Sequence, residues 1–217
     1  MVKPSKANEI IRVLKKEYDI GSWRSRPFRT LISCIISQRT KDETTGPAAE
    51  RLFKAANTPQ DMAKLTTKQI AKLIYPAGFY NQKAKNIKAT CKMLLKKYNG
   101  RVPKTRAKLM ELPGIGGKCA DIVLLFSYGE CVIPVDTHVA KVSRRLGWTA
   151  HNEREKIRED LHALFPPRKR AVINSLLVTF GKDICKAPVP RCFECPIENL
   201  CPYPNKNYKF SKNPKKV

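Results

Sequence analysis

An all-α fold is predicted by three features of the chain. Apolar residues recur at helical spacing along nearly its whole length, while the alternation expected of strands is almost absent. Capping patterns open several of these segments. Proline and glycine close most of them. Taken in order, Ala7, Ile10, Ile11, Leu14 and Tyr18 form one apolar stripe, so the chain begins with an amphipathic helix. Trp23 to Arg29 reads as a connector. Leu31-Ile32-Ser33-Cys34-Ile35-Ile36 is apolar on nearly all sides and predicts a helix buried in the middle of a domain. It leads into a polar stretch, Ser37 to Asp42, and the next helix is expected over Ala48 to Ala56. Thr58-Pro59 matches an N-cap followed by proline at the first helical position. Thr66-x-x-Gln69 matches a capping box.

Pro76 to Asn81 reads as a turn, followed by a long helix from Lys83 to Tyr98 that stops at Asn99-Gly100. Two helices, about Lys104–Glu111 and Lys118–Tyr128, flank Leu112-Pro113-Gly114-Ile115-Gly116-Gly117, and Gly129 ends the second. After the short apolar Val132-Ile133-Pro134-Val135, Asp136-Thr137 caps a helix through Leu146 that Gly147 ends. Asn152-x-x-Glu155 reads as another capping box, opening a helix to Phe165, which Pro166-Pro167 breaks. Arg168 to Lys182 is the last long helix. A cysteine-rich loop and a lysine-studded tail, expected to be mobile, finish the chain.

Charge narrows the function. Lys and Arg number 43 against 18 acids over 217 residues, a formal +25. That excess points to a polyanionic partner, most simply nucleic acid, held largely through its phosphates. No stretch approaches the length of a membrane span, and the N-terminus lacks the apolar core of a signal peptide. A soluble, intracellular protein is expected. In a reducing compartment, clustered cysteines are ligands and scattered ones belong to the core. Cys34, Cys91, Cys119 and Cys131 fall on apolar patterns and are expected to be buried.

The Gly-rich turn before Lys118 offers an anion site: glycine lets a ligand approach the backbone, and the helix that follows presents unpaired N–H groups at the positive end of its dipole. Lys118 at this mouth is either a phosphate contact or a nucleophile able to form a Schiff base with a sugar carbon. The P-loop pattern does not match, because Cys119 follows the lysine and no strand precedes the loop. Asp136 is either an ordinary N-cap or a carboxylate that moves protons and balances positive charge. His138 reads as structural. Cys185-x6-Cys192-x2-Cys195-x5-Cys201 gathers four thiols in one short loop. One Cys-x2-Cys flanked by two more distant cysteines suits a [4Fe–4S] cube better than a zinc ribbon, with zinc the alternative. Lys186 and Arg191, between the first two cysteines, would make a phosphate-binding surface if that loop is held rigid.

These residues together resemble the endonuclease III family of DNA glycosylases, over about Ile10 to Cys201. The likeness lies in the helix-hairpin-helix Leu112 to Ala120, in Val135-Asp136-Thr137-His138-Val139, and in the four-cysteine loop. Ile36 to Asp42 and Gly78 to Ala84 match further family segments. The resemblance implies two helical domains with double-stranded DNA between them. A barrel of helices at 19–131 would carry the hairpin at about 104–128. A discontinuous domain, 1–18 with 132–203, would hold a [4Fe–4S] cluster on Cys185, Cys192, Cys195 and Cys201, with 204–217 as a basic tail.

The resemblance further implies a base flipped out of the duplex. Lys118 would attack C1′ and nick the strand by β-elimination, assisted by Asp136. Gly114 and Gly116 would offer N–H groups to the DNA backbone. Gln38 or Arg39, and Phe79, would enter the gap left by the flipped base. The family often has glutamine where Arg39 stands. The lysine at 118, commonly missing from mismatch- and adenine-specific relatives, favours a bifunctional glycosylase/AP lyase acting on oxidised or ring-saturated pyrimidines. A monomer is expected, cytoplasmic and nucleoid-associated if prokaryotic. A monofunctional thymine/uracil mismatch glycosylase and a non-catalytic DNA-binding or redox-sensing protein are the alternatives.

Overall fold

The computed structural model describes residues 2–21 and 24–209. Among these the all-α expectation holds, with no strand. The helices are α1 (Pro4–Glu17), α2 (Pro27–Ser37), α3 (Asp42–Ala55), α4 (Pro59–Lys64), α5 (Thr67–Ile74), α6 (Tyr80–Tyr98), α7 (Arg106–Met110), α8 (Gly117–Val123), α9 (Thr137–Arg145), α10 (Arg154–Leu164) and α11 (Pro167–Asp183). Among the described residues, no helix is long and apolar enough to cross a membrane.

The chain divides into two compact units. One is Trp23–Glu130; the other combines Met1–Ser22 with Cys131–Val217. In Trp23–Glu130 the core is centred on α2, whose Leu31, Ile32, Ile35 and Ile36 are wholly buried, as its apolar run predicts. Ile70 and Ile74 of α5 and Ile87 and Leu94 of α6 complete it. In the other unit Ile10 and Leu14 of α1 join Val139 and Val142 of α9 and Leu176, Leu177 and Phe180 of α11. Trp148 packs edge-on against Phe165 there, at 5.0 Å between ring centroids.

Local chemistry matches the sequence at two caps. The Thr58 hydroxyl accepts from the Asp61 N–H. The Thr66–Gln69 capping box closes in both directions. Elsewhere the structure corrects the expectation. Helix α2 begins at Pro27, so the end of the expected connector is already helical; Trp23 lies outside the described residues. Helix α3 starts at Asp42, not Ala48, and runs through Pro47. Its first turn holds because Asp42 and Glu43 sit at the positive end of the dipole and the Thr45 hydroxyl donates to the Lys41 carbonyl.

The Asn152 capping box does not form. The Asn152 side-chain oxygen accepts from Arg144 instead, and α10 opens after Glu153 without a side-chain cap. The expected helix Lys118–Tyr128 changes pitch midway: α8 gives way to a π-helical turn, Leu124–Tyr128, ended by Gly129 at φ +74°. Cys34, Cys91 and Cys119 are buried as expected, but Cys131 is exposed. It lies where the chain crosses between units, before the buried run at Ile133 begins. Of the expected mobile tail, residues 210–217 lie outside the described residues.

Candidate active site

The hairpin is built by α7, a six-residue turn and α8. Arg106 Nε and the almost fully buried Asp121 Oδ1, 3.2 Å apart, tie the two helices together. Within the turn, Leu112 N–H donates to Leu109 O and Ile115 N–H to Leu112 O. The left-handed residue is Gly114, at φ +80°. A Cβ there would lie 2.6 Å from Asn86 Nδ2, so the turn requires glycine twice over. Gly116 differs. Its φ is −99°, and a Cβ would meet nothing within 4 Å.

The carbonyl side of the hairpin is satisfied inside the protein. The Thr90 hydroxyl donates to Pro113 O at 3.0 Å, and Gln38 Nε2 donates to Gly114 O at 2.7 Å. The N–H groups of Gly114 and Gly116 have no hydrogen-bond partner among the described residues. Lys118 stands half-buried in the first turn of α8 and forms no hydrogen bond or ion pair with the described residues.

Beside the hairpin, Gln38, Arg39, Phe79, Gln82, Lys83 and Asn86 line one pocket. Arg39 and Phe79 both adopt left-handed backbone, at φ 49° and 56°. The guanidinium lies 5.6 Å from the centroid of the Phe79 ring, which is 65% exposed. Gly78 is needed because a Cβ would meet Arg39 O at 2.7 Å. Lys83 is buried, and its Nζ donates to Ile36 O and to Thr40 Oγ1, both at 2.6 Å. Burial lowers its pKa from 10.5 to about 8. Sequence reasoning missed Lys83, although the signal was there. It shares the stripe Ile87, Thr90 and Leu94, so helical spacing already placed it on the buried face of α6.

In the other unit Asp136 is the N-cap of α9, its Oδ1 accepting from Val139 N–H at 2.8 Å. The segment before it is pinned by Asn174 Nδ2 to Pro134 O and by the His162 ring, which accepts from Ile133 N–H. His138 Nδ1 is buried without a hydrogen-bond partner among the described residues.

Cys185, Cys192, Cys195 and Cys201 line a single cavity with Arg145, Phe180 and Tyr203. Among the described residues no three His, Cys, Asp or Glu side chains gather tightly enough to hold one ion. Burial pushes the Cys195 thiol up to about 12 and raises that of Cys201. A ligating thiol is a thiolate, so an incoming cation must displace those protons. Arg145 clasps the loop: its guanidinium donates to the carbonyls of Lys186 and Pro188 and lies 3.2 Å from Cys185 Sγ. Lys186 is exposed. Arg191 instead pairs with Asp183 at 2.8 Å and Glu194 at 2.9 Å, so much of its charge is answered within the protein.

The structure thus brings Gln38, Arg39, Phe79, Gly114, Gly116 and Lys118 into one unit and the four cysteines onto one cavity, with Asp136 on the helix that Arg145 ties to the cysteine loop.

The sequence profile of the HhH-GPD superfamily base excision DNA repair proteins matches residues 32–167. Endonuclease III of Thermotoga maritima is 40% identical over 195 residues, covering 90% of this chain and 92% of its own. Endonuclease III of Escherichia coli is 37% identical over 182 residues, covering 84% and 86%. A trapped covalent endonuclease III–DNA intermediate superposes with a TM-score of 0.88 at 31% identity, covering 94% of this chain and 97% of that one. The chain therefore belongs to the HhH-GPD superfamily of base excision DNA repair proteins and, within it, to the endonuclease III family.

Proposed function

We propose that this protein is a bifunctional DNA glycosylase/AP lyase of base excision repair, acting on oxidised or ring-saturated pyrimidines in double-stranded DNA. The observation that carries the reading is Lys118, half-buried and free of ion pairs among the described residues, two residues beyond Gly116 in a glycine hairpin whose Gly114 and Gly116 N–H groups have no hydrogen-bond partner among those residues. Its family likeness to an endonuclease III trapped covalently on DNA adds to it.

The Lys118 amine nitrogen attacks C1′ of the extruded nucleotide. The C1′–N bond breaks, and its electron pair leaves with the base, which takes up a proton. Loss of the amine proton and opening of the sugar ring give a protonated imine. That imine acidifies the 2′ proton. Its removal expels the 3′ phosphate by β-elimination, and water then hydrolyses the imine and regenerates the lysine. Asp136 balances the charge on the opening ring and shuttles the proton. The N–H groups of Gly114 and Gly116 hold the backbone phosphate. Phe79 and Arg39 enter the space the base vacates.

The cysteine loop fits a [4Fe–4S] cluster. Four thiols line one cavity, and the loop around them has little apolar core of its own. Cys185, Cys192, Cys195 and Cys201 would hold the cluster, which when bound cross-links the loop and presents Lys186 to phosphate. The protein acts as a monomer inside the cell, at the nucleoid if the cell is prokaryotic. The test is a lesion panel in duplex oligonucleotides, scored separately for base release and nicking. Thymine glycol should be released and the strand nicked. Base release without nicking selects a monofunctional glycosylase, and tight binding with neither reaction selects a non-catalytic protein.

A further inference from the structure

We propose that Lys83 is a positioning residue: through the Thr40 hydroxyl it sets the loop that carries Gln38 and Arg39 against the turn that carries Phe79. The inference rests on the proposed glycosylase reading and adds to it a residue that touches neither DNA nor the reacting atoms.

A buried lysine is expensive to keep, and this one has no carboxylate partner among the described residues. Its two acceptors explain its placement. Ile36 O belongs to the last turn of α2, where carbonyls lack helical partners and the dipole is negative, which offsets part of the cost of burying an ammonium there. That bond alone would make Lys83 an ordinary helix-end contact.

The second bond does more. Thr40 Oγ1 accepts from Lys83 Nζ at 2.6 Å and from Gly78 N–H at 3.1 Å, and donates to Gln38 O at 3.2 Å. Its single donor and both acceptor positions are thereby used. One hydroxyl joins α6, the 37–41 loop and the 78–79 turn.

Three non-glycine residues among those described have positive φ: Arg39, Phe79 and Asn99. Asparagine tolerates that conformation, but arginine and phenylalanine resist it. Arg39 and Phe79 flank the Thr40 junction and face each other across it. Strained backbone persists where its surroundings over-determine it, and the Lys83–Thr40–Gly78 network supplies that constraint. Gln38 carries it on to the hairpin through Gly114 O, 2.7 Å away.

The test compares Thr40→Val, Thr40→Ser and Lys83→Met in the full, metal-loaded protein. Thr40→Val removes the junction but leaves the Lys83–Ile36 bond. Thr40→Ser keeps the hydroxyl. The readout is the ratio of thymine-glycol release from duplex to nicking of a preformed abasic site in a single strand, where no base has to be extruded. Fluorescence of 2-aminopurine beside an abasic analogue in duplex, at saturating protein, reports unstacking.

The ratio should fall at least tenfold in Thr40→Val and Lys83→Met, with the fluorescence rise reduced, and Thr40→Ser should stay within threefold of the parent. A ratio unchanged in Thr40→Val or in Lys83→Met, or lowered equally in Thr40→Ser, overturns the proposal, because the Lys83–Thr40 bond would then have no positioning role. If the parent protein neither releases base nor nicks, it is the glycosylase reading itself that fails.

Discussion

Gly114 and Gly116 sit two residues apart in one turn, and alanine should affect them in opposite ways. At Gly114, φ is +80° and a new Cβ meets Asn86 Nδ2 at 2.6 Å, its Cγ at 3.1 Å and its Cβ at 3.2 Å. The left-handed backbone costs alanine about 1–2 kcal/mol. The Asn86 side chain can swing its amide away, but its Cβ is fixed to α6, so crowding adds roughly 1–2 kcal/mol. Gly114→Ala should therefore lose about 2–4 kcal/mol, which lowers the melting temperature by roughly 10 °C or more in a unit of this size.

Gly116→Ala meets no neighbour within 4 Å at an ordinary φ of −99°. A less flexible unfolded chain offsets the slightly poorer N-cap, so stability should move by less than about 0.5 kcal/mol. Its methyl group, however, sits on the Cα next to the N–H that we propose holds a phosphate, and narrows the approach to it. Losing a hydrogen bond to a charged group is worth about 1.5–3 kcal/mol, tenfold or more in affinity. Thermal unfolding by circular dichroism and anisotropy on a duplex with an abasic analogue measure the two effects. Gly116→Ala binding within twofold of the parent would refute the claim that this backbone grips DNA.

With a formal charge of +25, duplex affinity should fall by about a thousandfold or more between 50 and 200 mM salt if six or more phosphates are neutralised; a flat titration would contradict the electrostatic reading. Because Lys83 is lowered to about 8 from 10.5, the unfolded chain keeps this proton longer than the folded one. Stability should therefore rise as pH goes from about 8 to 10.5. Lys83→Met should flatten that rise in urea midpoints measured across the window, and an unchanged rise would reassign it to other groups. Protein purified without oxygen should be brown, and Cys195→Ser should lose most of its visible absorbance; stoichiometric zinc without iron would overturn the cluster assignment.

Much of this molecule was legible in the chain because its punctuation is chemical. The glycines and Pro113 of the hairpin, the continuous apolar run of α2 and the Thr66–Gln69 reciprocity each follow from one local rule, and tertiary context did not alter them. The four cysteines stand close in the chain, and the fold sets them on one cavity. The misses came where a distant group competed for a local one. Asn152 fits a capping pattern, but Arg144 takes its side-chain oxygen. The helix expected from Ala48 begins at Asp42 instead and carries Gly46 and Pro47 within it. Arg191 reads as a cation for phosphate, and two acids already hold it. Helical spacing puts Lys83 on the buried face of α6, but only the fold shows which acceptors its ammonium meets there, Ile36 O and Thr40 Oγ1.

The central claim is that Lys118 is the nucleophile, and borohydride trapping tests it most directly. Incubated with duplex DNA carrying thymine glycol and treated with borohydride, the protein should yield one covalent protein–DNA adduct, because reduction converts the imine to a stable amine. Peptide mapping should place the adduct on Lys118, and Lys118→Ala should give none. No adduct from the parent protein, or an adduct that survives Lys118→Ala, would contradict the account.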